Sequence, residues 1–178
     1  NGDGEINSLD RIRQDLTDIP QIVYGVNLGI TWKQFDLSLL FQGQAKVINT
    51  IQETWVDPSS GGAGNLMQWW TEDMWTPENT DGTKPRLGTP NKINGTTFTN
   101  INAAFFKLKN AEIGYTLPVA VREKIGVANA RVYLSGTNLF SFDHMRGMGI
   151  DPEATGSGYG GWALNPQRLI NLGVNVSF

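Results

Sequence analysis

The sequence predicts an all-β fold, an antiparallel transmembrane β-barrel segment with long extracellular loops. Three observations predict it. The chain ends on a strand of strict alternation, four further alternating stretches precede it, and short and long connections take turns between them.

Residues 168–178 place Ile170, Leu172, Val174, Val176 and Phe178 on one parity and Asn171, Gly173, Asn175 and Ser177 on the other. One face is therefore apolar and the other small or polar, over the roughly ten tilted residues that a strand needs to cross hydrocarbon. A soluble sandwich strand alternates in the same way, so length and aromatic ending carry the distinction.

Upstream, residues 21–32 put Ile22, Tyr24, Val26, Leu28, Ile30 and Trp32 on one side, with Gly25, Asn27, Gly29 and Thr31 among those opposite. Lys33 and Gln34 make a very short turn, after which Phe35, Leu37, Leu39 and Phe41 alternate with Asp36, Ser38 and Gln42, which predicts an antiparallel hairpin. Tyr24, Trp32 and Phe41 fall near strand ends, where barrels carry their aromatic girdles.

Residues 44–102 lack period-two patterning and are too long for an ordinary turn. A third strand is expected at 103–117. There Phe106 and Leu108 share one parity while Ala111, Ile113, Tyr115 and Leu117 share the other, so the phase slips near Asn110 and a bulge is predicted. After Pro118, residues 119–126 fit one or two helical turns closed by a glycine. A fourth strand follows at 130–140, with Arg131, Tyr133, Ser135 and Thr137 on one side and Val132 and Leu134 on the other. A second Gly-rich loop, 141–166, leads into the terminal strand.

In outer-membrane barrels short turns lie on the periplasmic side and long loops outside, so five crossings begun outside end in the periplasm. Residues 1–20 are accordingly read as an extracellular loop and 21–178 as barrel strands. Five strands cannot close, and open edges in lipid leave backbone groups unpaired at several kcal/mol each, so more strands are expected from elsewhere.

Composition agrees and excludes alternatives. The charged fraction of 17% is below the roughly 25% of ordinary soluble domains. A mean hydropathy of -0.27 with no long apolar run excludes a helical span, while half of every barrel strand faces a polar lumen. No Cys is present, which removes a disulfide framework, a thiolate metal site and a thiol nucleophile. A net charge of -3 argues against nucleic acid as a partner.

The chain opens on Asn-Gly-Asp-Gly-Glu-Ile-Asn, which has the grammar of a calcium loop cut through its front. Asn1, Asp3, Glu5 through its carbonyl, Asn7 and Asp10 occupy ligand places, and Gly4 the sharp turn. The first ligand would precede Asn1, which suggests the C-terminal piece of something larger. A Gly/Asn/Asp turn that binds nothing is the competing reading, because Asp10 is shorter than the usual bidentate Glu.

Candidate contacts gather in the long loop, where Trp55, Trp69, Trp70 and Trp75 lie among Glu53, Asp57, Glu72, Asp73 and Glu78. Flat rings stack on sugars and carboxylates accept hydroxyl hydrogen bonds, whereas the bland alternative is packing within the loop or against a partner. Trp69 and Trp70 are adjacent, which argues against both touching one ligand. Catalysis finds little support. Glu72 and Asp73 are neighbours, not carboxyls held about 5–9 Å apart across a substrate. His144 is the only histidine, and Ser135-Gly136-Thr137-Asn138 continues a strand instead of forming a nucleophile elbow.

Several segments, in order, resemble the C-terminal region of SusC/RagA-family TonB-dependent transporters of Bacteroidetes. They are Asn1 to Gly4, Phe35 to Gly43, Trp75 to Asn79 with Pro85-Arg86-Leu87, Phe105 to Pro118, and Ala130 to Phe140; the terminal Phe178 likewise resembles the C-terminal signal of outer-membrane barrels. The resemblance implies a barrel of about 22 strands with a plugged lumen, of which this chain would supply the last five or so. It further implies import of an oligosaccharide or peptide, driven through a TonB complex that engages an upstream region, with a SusD-like lipoprotein capping the barrel and no cofactor required beyond candidate Ca2+. A different reading is an extracellular calcium-binding or adhesive β-module without transport. The two part over a lipid-facing band of Tyr24, Val26, Leu28, Ile30, Leu37, Leu39, Ile113, Leu172, Val174 and Val176, which only the transporter requires.

Overall fold

The computed structural model describes residues 2–5, 7–51, 67–86, 96–153 and 165–178. Its strands are β1 (Ile22–Trp32), β2 (Phe35–Ala45), β3 (Ile48–Thr50), β4 (Asn100–Asn102), β5 (Phe105–Thr116), β6 (Asn129–Asp143) and β7 (Leu169–Ser177). Its helices are α1 (Gln68–Glu72) and α2 (Val119–Ile125). The chain divides into two compact units.

The first is an antiparallel sheet of five strands in the order β1-β2-β5-β6-β7, each beside its predecessor within the sheet. Alternation builds it, as the sequence predicts. Lys33, at φ 55, turns β1 into β2, and its ammonium lies 4.8 Å from the Trp32 ring centre. Pro118 starts α2, and Gly126 ends it at φ 73, where its N–H donates to the Arg122 and Glu123 carbonyls. Ala128 N–H then donates to the Ser177 carbonyl at 2.8 Å, which fixes β6 beside β7.

The predicted bulge is present one residue from where the phase slips. Leu40 pairs with Asn110 and Phe41 with Leu108, so Lys109 has no opposite number on β2. Looping out one residue returns Leu108 and Phe106 to the face of Ala111 and Ile113, which is why the apolar side stays unbroken although its sequence parity changes. Across from Lys109, β6 carries Asn138 and Leu139, with Asn138 at φ 52.

Rows across β2, β5, β6 and β7 define that face: Phe35, Tyr115, Val132, Val174; Leu37, Ile113, Leu134, Leu172; Leu39, Ala111, Gly136, Ile170; and, across the first three strands, Phe41, Leu108, Phe140. Aromatic rings close it at both ends. Phe35 and Tyr115 lie 4.8 Å apart at the short-turn end. At the other end Phe106 stacks on Phe41 at 5.3 Å and Phe140 meets Phe142 at 5.4 Å. Tyr24 crosses bare Gly43 and donates to the Phe105 carbonyl at 3.1 Å.

The second unit comprises residues 1–21, 45–104 and 144–165. Its core is Val47, Ile51, Trp70, Ala103, Met145 and Ile150, with Met67, Trp69, Ile101 and Met148 packed against it. The β3–β4 ladder runs through a stretch where alternation is absent from the sequence. Its three-residue strands are too short to show a period.

Candidate functional site

The sheet's two faces are chemically opposite. On the apolar face Tyr24, Val26, Leu28, Ile30, Ile113, Leu172, Val174 and Val176 are exposed, Leu172 by 76%, while Leu37 and Leu39 are half-buried. An apolar surface this continuous is costly in water and ordinary in hydrocarbon.

The other face carries charge. Arg131 donates from Nε to Asp36 Oδ1 at 3.0 Å, pairs through Nη2 with Asp36 Oδ2, and reaches Glu112 Oε1 at 2.7 Å. Gly114 makes this possible. It stands opposite Asp36 on β2, and a Cβ there would collide with the guanidinium, so Arg131 crosses β5 over a position without a side chain. The guanidinium also lies 5.1 Å from the Tyr133 ring centre. This trio has no signature in the sequence alone. Parity puts Asp36 and Arg131 on the polar side, but only the register shows that Gly114 lies between them.

In the loop unit α1 separates its two tryptophans. Trp70 is 4% exposed and belongs to the core, with Trp69 edge-on at 5.6 Å and Phe98 at 6.0 Å. The indole N–H groups of both tryptophans are buried and meet no acceptor among the described residues. Lys84 lies over the Trp70 and Phe98 rings, 6.0 and 5.6 Å from their centres, and 3.5 Å from Asp73 Oδ2. Asp73 also accepts hydrogen bonds from the Thr83 hydroxyl and N–H, and these bonds first, then Lys84, hold its carboxyl below the usual carboxylate range. Asp73, proposed as a contact, thus closes the segment 73–84, which Trp75 N–H and the Lys84 carbonyl join at 2.8 Å.

Glu72 is exposed and accepts from Gln68 Nε2 at 2.7 Å; Trp75 is 39% exposed. These two, and the half-buried Trp69 in part, keep surface available for contact. His144 is exposed. Trp55 lies outside the described residues, as does Asn1.

At the start of the chain Asp3 Oδ1 accepts from Glu5 N–H at 2.8 Å. Asn7 and Asp10 form a reciprocal capping box on a 3-10 turn, with Leu9 N–H donating to Asn7 Oδ1 and Asn7 N–H to Asp10 Oδ2. The geometry turns both side chains to backbone donors. No cluster of three metal-ligating side chains occurs among the described residues.

No protein-family model matches the chain. TonB-dependent receptor P26 of Formosa agariphila is 30% identical over the whole chain, and TonB-dependent receptor P3 of the same organism is 31% identical over 99% of it. The chain spans 19% and 18% of the lengths of these relatives. Among solved structures, the RagAB peptide importer in its open-open state matches 98% of the chain and 19% of its own at a TM-score of 0.74 and 27% identity. The closed-closed state gives 0.76 and 26% over the same share of this chain. None of these names describes an enzyme. The five-strand meander, its exposed apolar face and this similarity along the whole chain agree: the chain belongs to the SusC/RagA family of TonB-dependent receptors, of whose barrel it is a C-terminal part.

Proposed function

We propose that the full-length protein imports an oligosaccharide or peptide across the bacterial outer membrane, powered by a TonB complex, and that this chain supplies wall strands and outer loops. One observation carries the reading: a five-strand antiparallel sheet keeps an exposed aliphatic face between two sets of aromatic rings. A bilayer-spanning wall needs that arrangement, and a soluble module pays for it. The similarity to RagAB, a peptide importer, supports the peptide half of the substrate class.

In this reading the long loops lie outside the cell, the C-terminus is periplasmic, and a SusD-like lipoprotein covers the outer mouth. Trp69, Trp75 and Glu72 are assigned to contact with that lipoprotein or with substrate, Trp70 and Asp73 to holding the loop that presents them. The exposed Trp75 ring and the exposed Glu72 carboxylate support a contact here, because the loop surface offers both an aromatic face and a hydrogen-bond acceptor. Import is proposed to need no cofactor and to continue in a calcium chelator.

Deleting the gene in the bacterium that carries it is expected to abolish uptake of one class of labelled oligopeptide or oligosaccharide. Removing TonB should cause the same loss. Uptake unchanged for every member of both classes would refute the proposal.

A further inference from the structure

Ala111 faces Gly136 in the third row of the apolar face, so two small residues are neighbours at the middle of that face. The surface falls away there into a hollow of about 210 Å³, ringed by Leu37, Ile113, Leu134, Leu139 and Ile170. Glu112 and Ser135 also border it, but Glu112 is held on the polar side by Arg131 at 2.7 Å. The bulge shapes the rim. Asn138, at φ 52, brings Leu139 over Gly136, where an added Cβ would stand 2.6 Å from Leu139 Cδ2.

We propose that this hollow seats one acyl chain of a membrane lipid, an inference that rests on reading this face as the membrane side. Three features choose that occupant. The hollow lies between the Phe35–Tyr115 pair and the rings of Phe41 and Phe140, at the level of the aliphatic band. Its ring is aliphatic, and the one charged residue among the described residues that border it, Glu112, is turned to Arg131 and not into the hollow. Finally, a gap left open in a packed apolar surface forfeits dispersion contacts on every atom that lines it, and a flexible hydrocarbon chain recovers them. Bulges in barrel walls commonly re-aim side chains; here the re-aimed Leu139 makes one side of a seat.

The test uses the full-length receptor in phosphatidylethanolamine–phosphatidylglycerol vesicles doped with a phosphatidylcholine that carries a diazirine midway along one chain. After illumination, labelled residues are mapped by mass spectrometry. Several-fold more label is expected on residues 111–113, 134–139 and 170 than on Val26 and Leu28 of the same face, and Ala111→Leu should bring the excess down to the level of those two. Label spread evenly over the face, or an excess that Ala111→Leu leaves untouched, would overturn the seat while the membrane reading stands. Less label at the hollow than elsewhere would mean that a protein surface covers it, and would also overturn the seat. No label on any of these residues would overturn both readings. Should Ala111→Leu fail to assemble, the wild-type pattern decides by itself.

Discussion

The sheet and the loop unit solve opposite packing problems with the same amino acids. The loop unit buries an apolar core, down to 0% exposure for Ala103 and Met145, although Leu9, Ile12 and Ile19 stay exposed, and it closes its surface with Asx turns, caps and an ion pair. The sheet turns its aliphatic side outward, leaving Ile30 61% exposed, and gathers its ion pairs on the polar face. The difference teaches that burial has to be judged against the solvent each surface meets. Hydrocarbon on one side and water on the other explain both halves of this chain by one rule.

The comparison predicts that substitutions will fail in different places. The largest effect is expected in the loop unit. Trp70→Ala removes the central ring of its core, at about 3–5 kcal/mol for an aromatic truncation. Amide exchange should rise across residues 67–86 while the barrel still assembles; failure of barrel assembly would show that the sheet depends on that core.

Next is a charge on the outward side. Leu134→Arg should cost about 2–4 kcal/mol near mid-membrane and deplete folded receptor in the outer membrane, whereas Asn27→Asp on the opposite parity should leave its level unchanged. Equal damage from both would erase the distinction between the faces. A smaller loss, about 1–3 kcal/mol for overpacking, is expected for Gly114→Val, which drives Arg131 from Asp36. Pairing it with Arg131→Ala should give less than the sum of the two losses, since both break one contact; full additivity would separate Gly114 from the trio.

The smallest effect concerns pH. Because Asp73 has a lowered folded-state pKa, its contribution is fully present above the unfolded value of about 3.9 and is lost as pH falls through the lower folded value. Exchange protection at Thr83 and Lys84 should hold from neutral pH to about 4 and then decline, and Asp73→Asn should remove that acid step. A decline already complete near pH 6 would point to a different group.

What the sequence discloses follows the same division. The strands and the slip near Asn110 are legible because each long strand runs nine or more residues, long enough for a two-residue period to show and, in β5, for its break to show as well. Legibility fails in the loop unit, where β3 and β4 have three residues each and the core joins residues as distant as Val47 and Met145. Trp70 and Trp75 look alike in sequence, and only the fold buries one and exposes the other. Lys84, unmarked by any motif, closes on Asp73 because residues 73–84 double back. The Asn7–Asp10 pair reads as calcium ligands or as a cap from the same letters, and the backbone around Ser8–Asp10 draws it into the cap.

The central claim is that the aliphatic side of the sheet meets lipid. Spin labels placed singly at residues 26–31 of the full-length receptor in bilayers test it through collisional access to oxygen and to a water-soluble nickel chelate. Oxygen access should peak at Val26, Leu28 and Ile30, and chelate access at Asn27, Gly29 and Thr31. Loss of that two-residue alternation, or its appearance in the opposite phase, would contradict the account.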